Sequence, residues 1–130
     1  MLFRSILVVE DHADTRRSLE LFLEMLGYRA CFACGMQEAL SLAANEAGKL
    51  DLLLTDLQLS DGDGWELLRR LREENHAPAG AIAVSGWGSN EDLARSQAVG
   101  FHAHLVKPLT PQALRAVLHK AAAAISVGAG

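Results

Sequence analysis

The sequence has no long apolar run, no excess of positive charge and no leader-like start, and each absence argues against a class of protein. None of its apolar runs approaches the ~20 residues that a membrane-spanning helix needs. The formal net charge of −4 argues against binding nucleic acid by simple neutralisation of phosphates. Residues 1–6 lead straight into a strand-like segment without the layout of a signal peptide, so a cytoplasmic location is the default expectation.

Cysteine and proline are scarce, with two and three residues respectively, and there are no internal repeats. The cysteines form a single C-x-x-C motif, Cys31 to Cys34, which can be a redox pair in a cytosolic α/β protein. However, one cysteine falls in a predicted strand and no helix is expected to begin at Cys31. A zinc site would need a second such motif, and the sequence has none.

The chain is, by contrast, rich in apolar residues. Half of its 130 residues are hydrophobic, which excludes a disordered chain and is enough for one domain with one core. We expect this domain to span residues 1–125. The Ala/Gly-rich residues 126–130 are expected to form a flexible tail.

Apolar patterns predict five strands that alternate with five single helices. The strands are predicted at residues 6–9, 28–32, 52–56, 79–84 and 103–106. Gly27, Gly48 and Gly100 are expected to end helices, whereas Ser89 and Thr110 are expected to begin them. Strands that alternate with single helices pair in parallel, with helices on both faces of the sheet. The predicted fold is therefore α/β: one doubly wound, flavodoxin-like (βα)5 domain with strand order 2-1-3-4-5.

Polar residues follow the strands on both sides of the predicted switch point, where ligands bind in open α/β sheets. Because the carboxyl ends of parallel strands meet at one edge, these side chains are expected to converge. In chain order they are Glu10 and Asp11, Asp56, Ser85 with Gly86, and Lys107.

Three carboxylates at one edge need compensation, since two unit charges ~5 Å apart repel by roughly 3 kcal/mol at an effective dielectric of ~20. Either one carboxyl is protonated or a hard divalent cation lies among them, and Mg²⁺ suits such oxygen ligands. An Asp carboxylate in this setting can attack phosphorus and form an acyl phosphate. The cation and Lys107 would neutralise the phosphoryl oxygens, and Ser85 would donate a hydrogen bond to them.

Four motifs together resemble the receiver domain of two-component response regulators, the CheY-like family, over residues from about Ile6 to Ile125. The strand order above is the one known from this family and from flavodoxin. The run from Gly100 to Pro108 resembles receivers attached to hybrid sensor histidine kinases. The motifs are Leu7-Val8-Val9-Glu10-Asp11, Leu54-Thr55-Asp56, Ala83-Val84-Ser85-Gly86 and Leu105-Val106-Lys107-Pro108.

This resemblance implies that Asp56 is the phospho-acceptor of a phosphorelay and that Lys107 contacts its phosphate. Mg²⁺ would be held by Glu10, Asp11, Asp56 and the backbone carbonyl of Gln58. Ser85 would be the switch hydroxyl with Gly86 beside it, and the Lys107–Pro108 peptide would be cis.

It also implies the partners. A phosphohistidine on a sensor histidine kinase or a phosphotransfer domain would be the donor. The downstream protein would bind the face formed by the fourth helix, fifth strand and fifth helix. The domain would be a signalling switch that catalyses only its own phosphoryl transfer, with no direct contact with nucleic acid.

The sequence departs from the family pattern at three positions. Ser60 stands where proline is usual, which predicts a looser turn after Asp56. His104 stands where the family often has Tyr or Phe, and an imidazole there can replace the aromatic switch or add sensitivity to pH. Trp87 is bulky for a loop that must move and is interpreted as part of a partner surface.

Three other functions are weighed against this interpretation. His102 and His104 alternate along one strand and could chelate a metal, but no third ligand is evident nearby. A flavodoxin-like cofactor protein would need a Gly-rich or Ser/Thr-rich first loop, whereas this loop carries Glu10 and Asp11, which would repel a flavin phosphate. An Asp-nucleophile phosphatase is the more serious alternative, although its usual second acid, two residues after the nucleophile, is Gln58 here.

Overall fold

The computed structural model describes residues 5–46, 49–86 and 90–129, and the side chains among them except those of residue 90 and residues 124–129. Seven strands and five helices occur in this part of the chain. In chain order they are β1 (Ser5–Val9), α1 (Ala13–Met25), β2 (Arg29–Ala33), α2 (Met36–Asn45), β3 (Leu52–Asp56), β4 (Gln58–Leu59), β5 (Gly62–Asp63), α3 (Gly64–Glu73), β6 (Gly80–Ser85), α4 (Asn90–Val99), β7 (Ala103–Val106) and α5 (Pro111–Ala129).

Five of the strands form one parallel sheet in the order β2-β1-β3-β6-β7. This arrangement confirms the predicted order 2-1-3-4-5 and places β2 at an edge. The remaining two strands, β4 and β5, form a short antiparallel hairpin directly after β3. The sequence analysis did not predict this hairpin.

The sheet separates two apolar cores, because the buried strands carry apolar side chains on both faces. On one face, residues of α2 and α3 pack against Leu7, Val9 and Leu53. On the other face, residues of α1 and α5 pack against Val8 and Leu54. Helices on both faces hold the inner strands in place. The side chains at the carboxyl ends of these strands therefore start from fixed positions.

Local signals set several helix ends where the sequence predicts them. Gly27 follows α1 with φ of 83°, the left-handed conformation that favours glycine. Thr110 Oγ1 accepts a hydrogen bond of 3.1 Å from the backbone N–H of Ala113 and so caps α5, with Pro111 as the first helical residue.

Other boundaries differ from expectation. Helix α2 ends at Asn45, before the predicted stop near Gly48, which lies outside the described residues together with Trp87 and Ser89. Helix α5 continues to Ala129, and the domain limits of residues 1–125 stay a prediction. Flexibility of residues 126–130 stays a prediction.

No helix within the described ranges combines the length and the apolar character required to cross a bilayer.

Candidate functional site

Lys107 joins two buried carboxylates at the carboxyl edge of the sheet. Its Nζ lies 2.7 Å from Asp56 Oδ2 and 2.9 Å from Glu10 Oε1. Asp56 is the last residue of β3, Glu10 follows β1, and Lys107 follows β7. Only 5 % of Asp56 and 1 % of Glu10 are exposed to solvent. The structure thus brings together three of the predicted site residues from strands far apart in sequence.

The charge of Lys107 is stabilised by these acids. Burial alone would lower the pKa of Lys107, but its hydrogen bonds and charge interactions with Asp56 and Glu10 outweigh burial and raise the pKa. The ammonium group therefore stays charged, and it offsets part of the repulsion between two carboxylates held at one place.

Asp11 and His12 complete a cluster of potential metal ligands. One ligand atom each from Glu10, Asp11, His12 and Asp56 lies within 4.8 Å of the others. The Nδ1 atom of His12 is 3.1 Å from Glu10 Oε2 and 3.2 Å from Asp11 Oδ1. Apart from this contact with His12, Asp11 Oδ1 is buried without a hydrogen-bond partner. An orphaned carboxylate oxygen among further acids fits a divalent cation, so the residues present suit a metal.

The turn after Asp56 is held by backbone contacts. The N–H of Gln58 donates a 2.9 Å hydrogen bond to Asp56 Oδ1, which keeps Gln58 beside the carboxylate. A Cβ atom on Gly64 would lie 2.8 Å from the carbonyl oxygen of Asp56, so this close approach requires glycine.

Ser85 and His104 form a pair one strand further along the edge. Ser85 Oγ is 2.8 Å from His104 Nε2, and Ser85 itself is buried. Burial lowers the pKa of His104, although the nearby charge of Asp92 acts in the opposite direction. The other ring nitrogen, Nδ1, is buried and has no hydrogen-bond partner. Burial therefore favours the neutral form of His104, whose ring lies against the hydroxyl of Ser85.

The predicted cis peptide and Gly86 both lie next to the Ser85–His104 pair, where a backbone hydrogen bond joins the two strands. The backbone N–H of Lys107 donates a 2.8 Å hydrogen bond to the carbonyl of Ser85, which ties the ends of β6 and β7 together. The Lys107–Pro108 peptide is cis, as expected. Gly86 is exposed, and a Cβ atom there would meet no described atom within 4 Å. Gly86 thus leaves open space beside Ser85, in a pocket that Lys107 and Pro108 also line.

The sequence analysis missed His12, Asp61 and Gly64 as residues of this region. His12 directly follows the acid pair at a strand end, a signal that could have identified it. Asp61 accepts hydrogen bonds of 2.7 Å from Met36 N and 3.0 Å from Gln37 N, and so fastens the β4–β5 hairpin to the start of α2. No local pattern predicts these contacts, because Asp61 lies 25 residues from Met36 and 24 residues from Gln37 in the chain.

The alternative sites gain no support. Cys31 and Cys34 are both free thiols, and burial raises the pKa of Cys31, which disfavours a reactive thiolate. His102 Nδ1 accepts a hydrogen bond from Ala81 N and is engaged in the sheet. Within residues that the structure describes, the cluster around Asp56 is the sole group of three or more potential metal ligands.

Comparison with known proteins identifies the family. The family sequence model for the response regulator receiver domain matches residues 6–119. The chain belongs to the response regulator receiver family.

Curated relatives of this receiver domain include both short and long proteins. An uncharacterised 14.6 kDa protein of Leptolyngbya boryana is 39 % identical over 82 % of this chain and 80 % of its own length. The phosphate regulon transcriptional regulatory protein PhoB of Pseudomonas aeruginosa is 33 % identical over 91 % of this chain and 51 % of its own length. Sensor protein EvgS of Escherichia coli is 33 % identical over 85 % of this chain and 9 % of its own length. The chain thus spans about half of the curated transcriptional regulators that it matches.

Solved structures agree with the fold. Chemotaxis protein CheY4 of Vibrio cholerae superposes with a TM-score of 0.85 at 24 % identity, over 92 % of this chain and 99 % of that chain. A second match is the co-crystal structure of the Saccharomyces cerevisiae histidine phosphotransfer protein Ypd1 with the receiver domain of its downstream response regulator Ssk1. It has a TM-score of 0.78 at 25 % identity, over 92 % of this chain and 86 % of the matched chain.

Proposed function

We propose that this receiver domain accepts a phosphoryl group on Asp56 and changes its partner-binding surface in response. The observation that supports this role is the buried contact of Lys107 with both Asp56 and Glu10, at 2.7 and 2.9 Å. A cation fixed beside a carboxylate nucleophile is suited to receive the oxygens of an incoming phosphoryl group. A receiver domain is a signalling module, and we propose that it catalyses only its own phosphorylation.

We infer that Mg²⁺ is the cofactor and that Glu10, Asp11, Asp56 and the backbone carbonyl of Gln58 hold it. The orphaned oxygen of Asp11 and the contact of Gln58 N with Asp56 support this ligand set. When bound, the metal would neutralise charge on the phosphoryl oxygens during transfer.

On the basis of these side-chain positions we propose a direct transfer to Asp56. A carboxylate oxygen of Asp56 forms a bond to phosphorus while the bond from phosphorus to the donor nitrogen breaks. The electron pair of that bond stays on the nitrogen, which leaves as imidazole after protonation. Lys107 Nζ moves its hydrogen bond from Asp56 Oδ2 to a phosphoryl oxygen, because the carboxylate charge has passed to the phosphate.

Ser85 and His104 respond to the new group. A hydroxyl can donate only one hydrogen bond, so Ser85 can donate to the phosphate only if it does not donate to His104. With the proton on Nε2, the imidazole donates to Ser85 Oγ, and we propose that the hydroxyl then turns to donate to the phosphate. Gly86 offers no side chain that would block this approach. We propose that His104 thereby takes the role of the usual aromatic switch residue.

The proposed donor is a phosphohistidine on a sensor histidine kinase or a phosphotransfer domain. The Ypd1–Ssk1 complex supports this class of partner, since a receiver domain similar to this one binds a phosphotransfer protein there. A pocket beside Lys107, with Asp14 and Ser18 of α1 on its wall, leaves the site approachable from the surface. Such donors are phosphorylated from ATP, so we propose a cytoplasmic location.

For the downstream partner we propose the face formed by α4, β7 and α5. Val106 of β7 is 46 % exposed, so this strand presents an apolar side chain that a partner would cover. Because β7 also carries His104, a change at the Ser85–His104 pair is transmitted to this face directly. Whether the domain works alone or within a longer protein such as a hybrid kinase depends on the chain that flanks it.

The test uses Mg²⁺ and acetyl phosphate as donor, with intact mass as the readout. The wild-type protein should gain one phosphoryl group, and Asp56→Asn should gain none. Asp51→Asn is the matched control, because Asp51 precedes the same strand at its opposite end and should leave labelling intact. Phosphorylation of Asp56→Asn at another residue would show that the acceptor is wrongly assigned. Steady turnover of acetyl phosphate without accumulation of label would instead support the phosphatase alternative.

A further inference from the structure

We propose that His12 is a ligand for nitrogen-preferring ions of the first transition row at this metal site and thereby raises their affinity relative to Mg²⁺. The inference rests on the metal site of the proposed function and adds a residue and a class of ion to it. The first observation is position: His12 Nδ1 lies 3.1 Å from Glu10 Oε2 and 3.2 Å from Asp11 Oδ1.

These distances match those between neighbouring ligands of one ion. Around a six-coordinate ion with bonds of ~2.1 Å, adjacent ligand atoms are ~3.0 Å apart. The backbone N–H of His12 also donates a 3.1 Å hydrogen bond to Glu10 Oε2, which holds that oxygen beside the ring. The ring nitrogen of His12 is therefore already spaced from each of the two carboxylate oxygens as an edge of one coordination shell requires.

The second observation is which oxygens face the ring. Lys107 uses Glu10 Oε1 and Asp56 Oδ2, and Gln58 N uses Asp56 Oδ1. The ring nitrogen of His12 lies instead against Glu10 Oε2 and the buried Asp11 Oδ1, which has no hydrogen-bond partner besides this 3.2 Å contact. A cation placed among these atoms need not displace Lys107.

The third observation is exposure. The side chain of His12 is 71 % exposed, and it makes no side-chain hydrogen bond that caps α1. Its ring is held against the acids by the hydrogen bond between Nδ1 and Glu10 Oε2, and neither packing nor helix capping contributes to that position. Neutral imidazole offers a nitrogen lone pair that suits Fe, Ni, Cu and Zn ions, whereas Mg²⁺ selects oxygen ligands and keeps its waters. His12 would therefore strengthen the binding of the former ions and contribute little to Mg²⁺.

The experiment measures Co²⁺ and Mg²⁺ affinities by calorimetry, without phosphodonor, on the wild type and His12→Phe. Phenylalanine keeps a ring of similar size but has no nitrogen. Because losing even a residue that orients a ligand costs ~10-fold or more in metal affinity, His12→Phe should weaken Co²⁺ binding at least tenfold. Its Mg²⁺ affinity should stay unchanged. His119→Asn on α5 is the control for stray binding to exposed histidines.

Proton NMR of the Co²⁺ form gives a direct readout of the bond. A coordinated imidazole contributes a strongly shifted, exchangeable ring N–H signal that disappears in D₂O, and His12→Phe should lack it. Its presence in His12→Phe, or an equal loss of Co²⁺ and Mg²⁺ affinity, would overturn the proposal. Asp11→Asn tests the acid site itself, independently of His12. If it leaves Mg²⁺ binding intact, the acid site of the proposed function is itself wrong.

Discussion

Lys107 is the residue on which the charge balance of the site depends. Removing one partner of a buried ion pair costs up to ~3–5 kcal/mol because the other charges remain buried and unpaired. The side chain of Lys107 is 24 % exposed, so a value at the lower end is expected. The residue should therefore contribute to folding as well as to the proposed phosphoryl transfer.

We expect Lys107→Met to lower the free energy of unfolding by ~3 kcal/mol in EDTA, since Glu10 and Asp56 then repel each other without a cation between them. Mg²⁺ should restore part of this loss, because it supplies positive charge to the same acids. Urea unfolding with EDTA and with Mg²⁺ measures both effects, and Lys120→Met on the exposed face of α5 is the control. An equal loss under both conditions would contradict a shared acid cluster.

His104 makes the free energy of unfolding depend on pH, and the burial of its ring sets the direction of that dependence. Its pKa is lowered by burial, so between the folded pKa and the ordinary value of 6.5 the unfolded chain binds more protons. The free energy of unfolding should therefore fall as pH falls through about 6.5 and level off below the folded pKa.

The measurement compares urea midpoints near neutral pH and in mildly acidic buffer for the wild type and His104→Phe. The variant keeps an aromatic ring without a titrating group, so its stability should fall less on acidification. His119→Phe, at an exposed position of α5, should retain the wild-type slope. An unchanged slope in His104→Phe would assign the pH dependence to other groups.

At the scale of elements, the β4–β5 hairpin is held to α2 by Asp61. The carboxylate accepts two backbone N–H groups at the start of α2, where Gly35 has no side chain to cap the helix. These hydrogen bonds, to Gln37 and Met36, lower the pKa of Asp61. Their stabilisation is thus present above the ordinary pKa of Asp and lost as pH falls through the folded pKa.

Asp61→Ala should destabilise the domain by ~1 kcal/mol, the usual cost of removing a helix cap. Asp61→Asn should lose less, because its amide oxygen still accepts one hydrogen bond. Ser60→Ala, at the adjacent exposed position, is the control. Urea midpoints above pH 6 measure the difference, and an alanine variant as stable as the wild type would show that the carboxylate does not support α2.

Helices and strands are predicted well where a single continuous segment shows the complete apolar pattern. Apolar runs that end in a polar residue predicted four strands of the sheet and hence Glu10, Asp56 and Lys107 at one edge, and the weaker apolar run 28–32 predicted the edge strand β2. The hairpin was missed because each of its strands has two residues and its sequence is polar and Gly-rich, as in any turn. Asp61 was missed because its partners lie on another element, a contact that only the folded chain creates.

At the scale of the molecule, the site exists only when the sheet is complete. Its groups come from the ends of β1, β3, β6 and β7, four strands adjacent in the sheet but spread over some hundred residues. A cation held by these acids binds the folded protein and has no comparable site on the unfolded chain. Metal binding must therefore be linked to the stability of the whole domain.

At a Mg²⁺ concentration of ~100 times the dissociation constant, this linkage adds ~2.7 kcal/mol to the free energy of unfolding. We expect thermal unfolding, followed by circular dichroism, to shift upward with Mg²⁺ and to return on addition of EDTA. Asp11→Asn should abolish the shift, whereas Glu20→Gln, an exposed acid on α1, should retain it. A shift of equal size in Asp11→Asn would mean that Mg²⁺ acts elsewhere on the fold, because the orphaned oxygen of Asp11 would then contribute nothing to the ion.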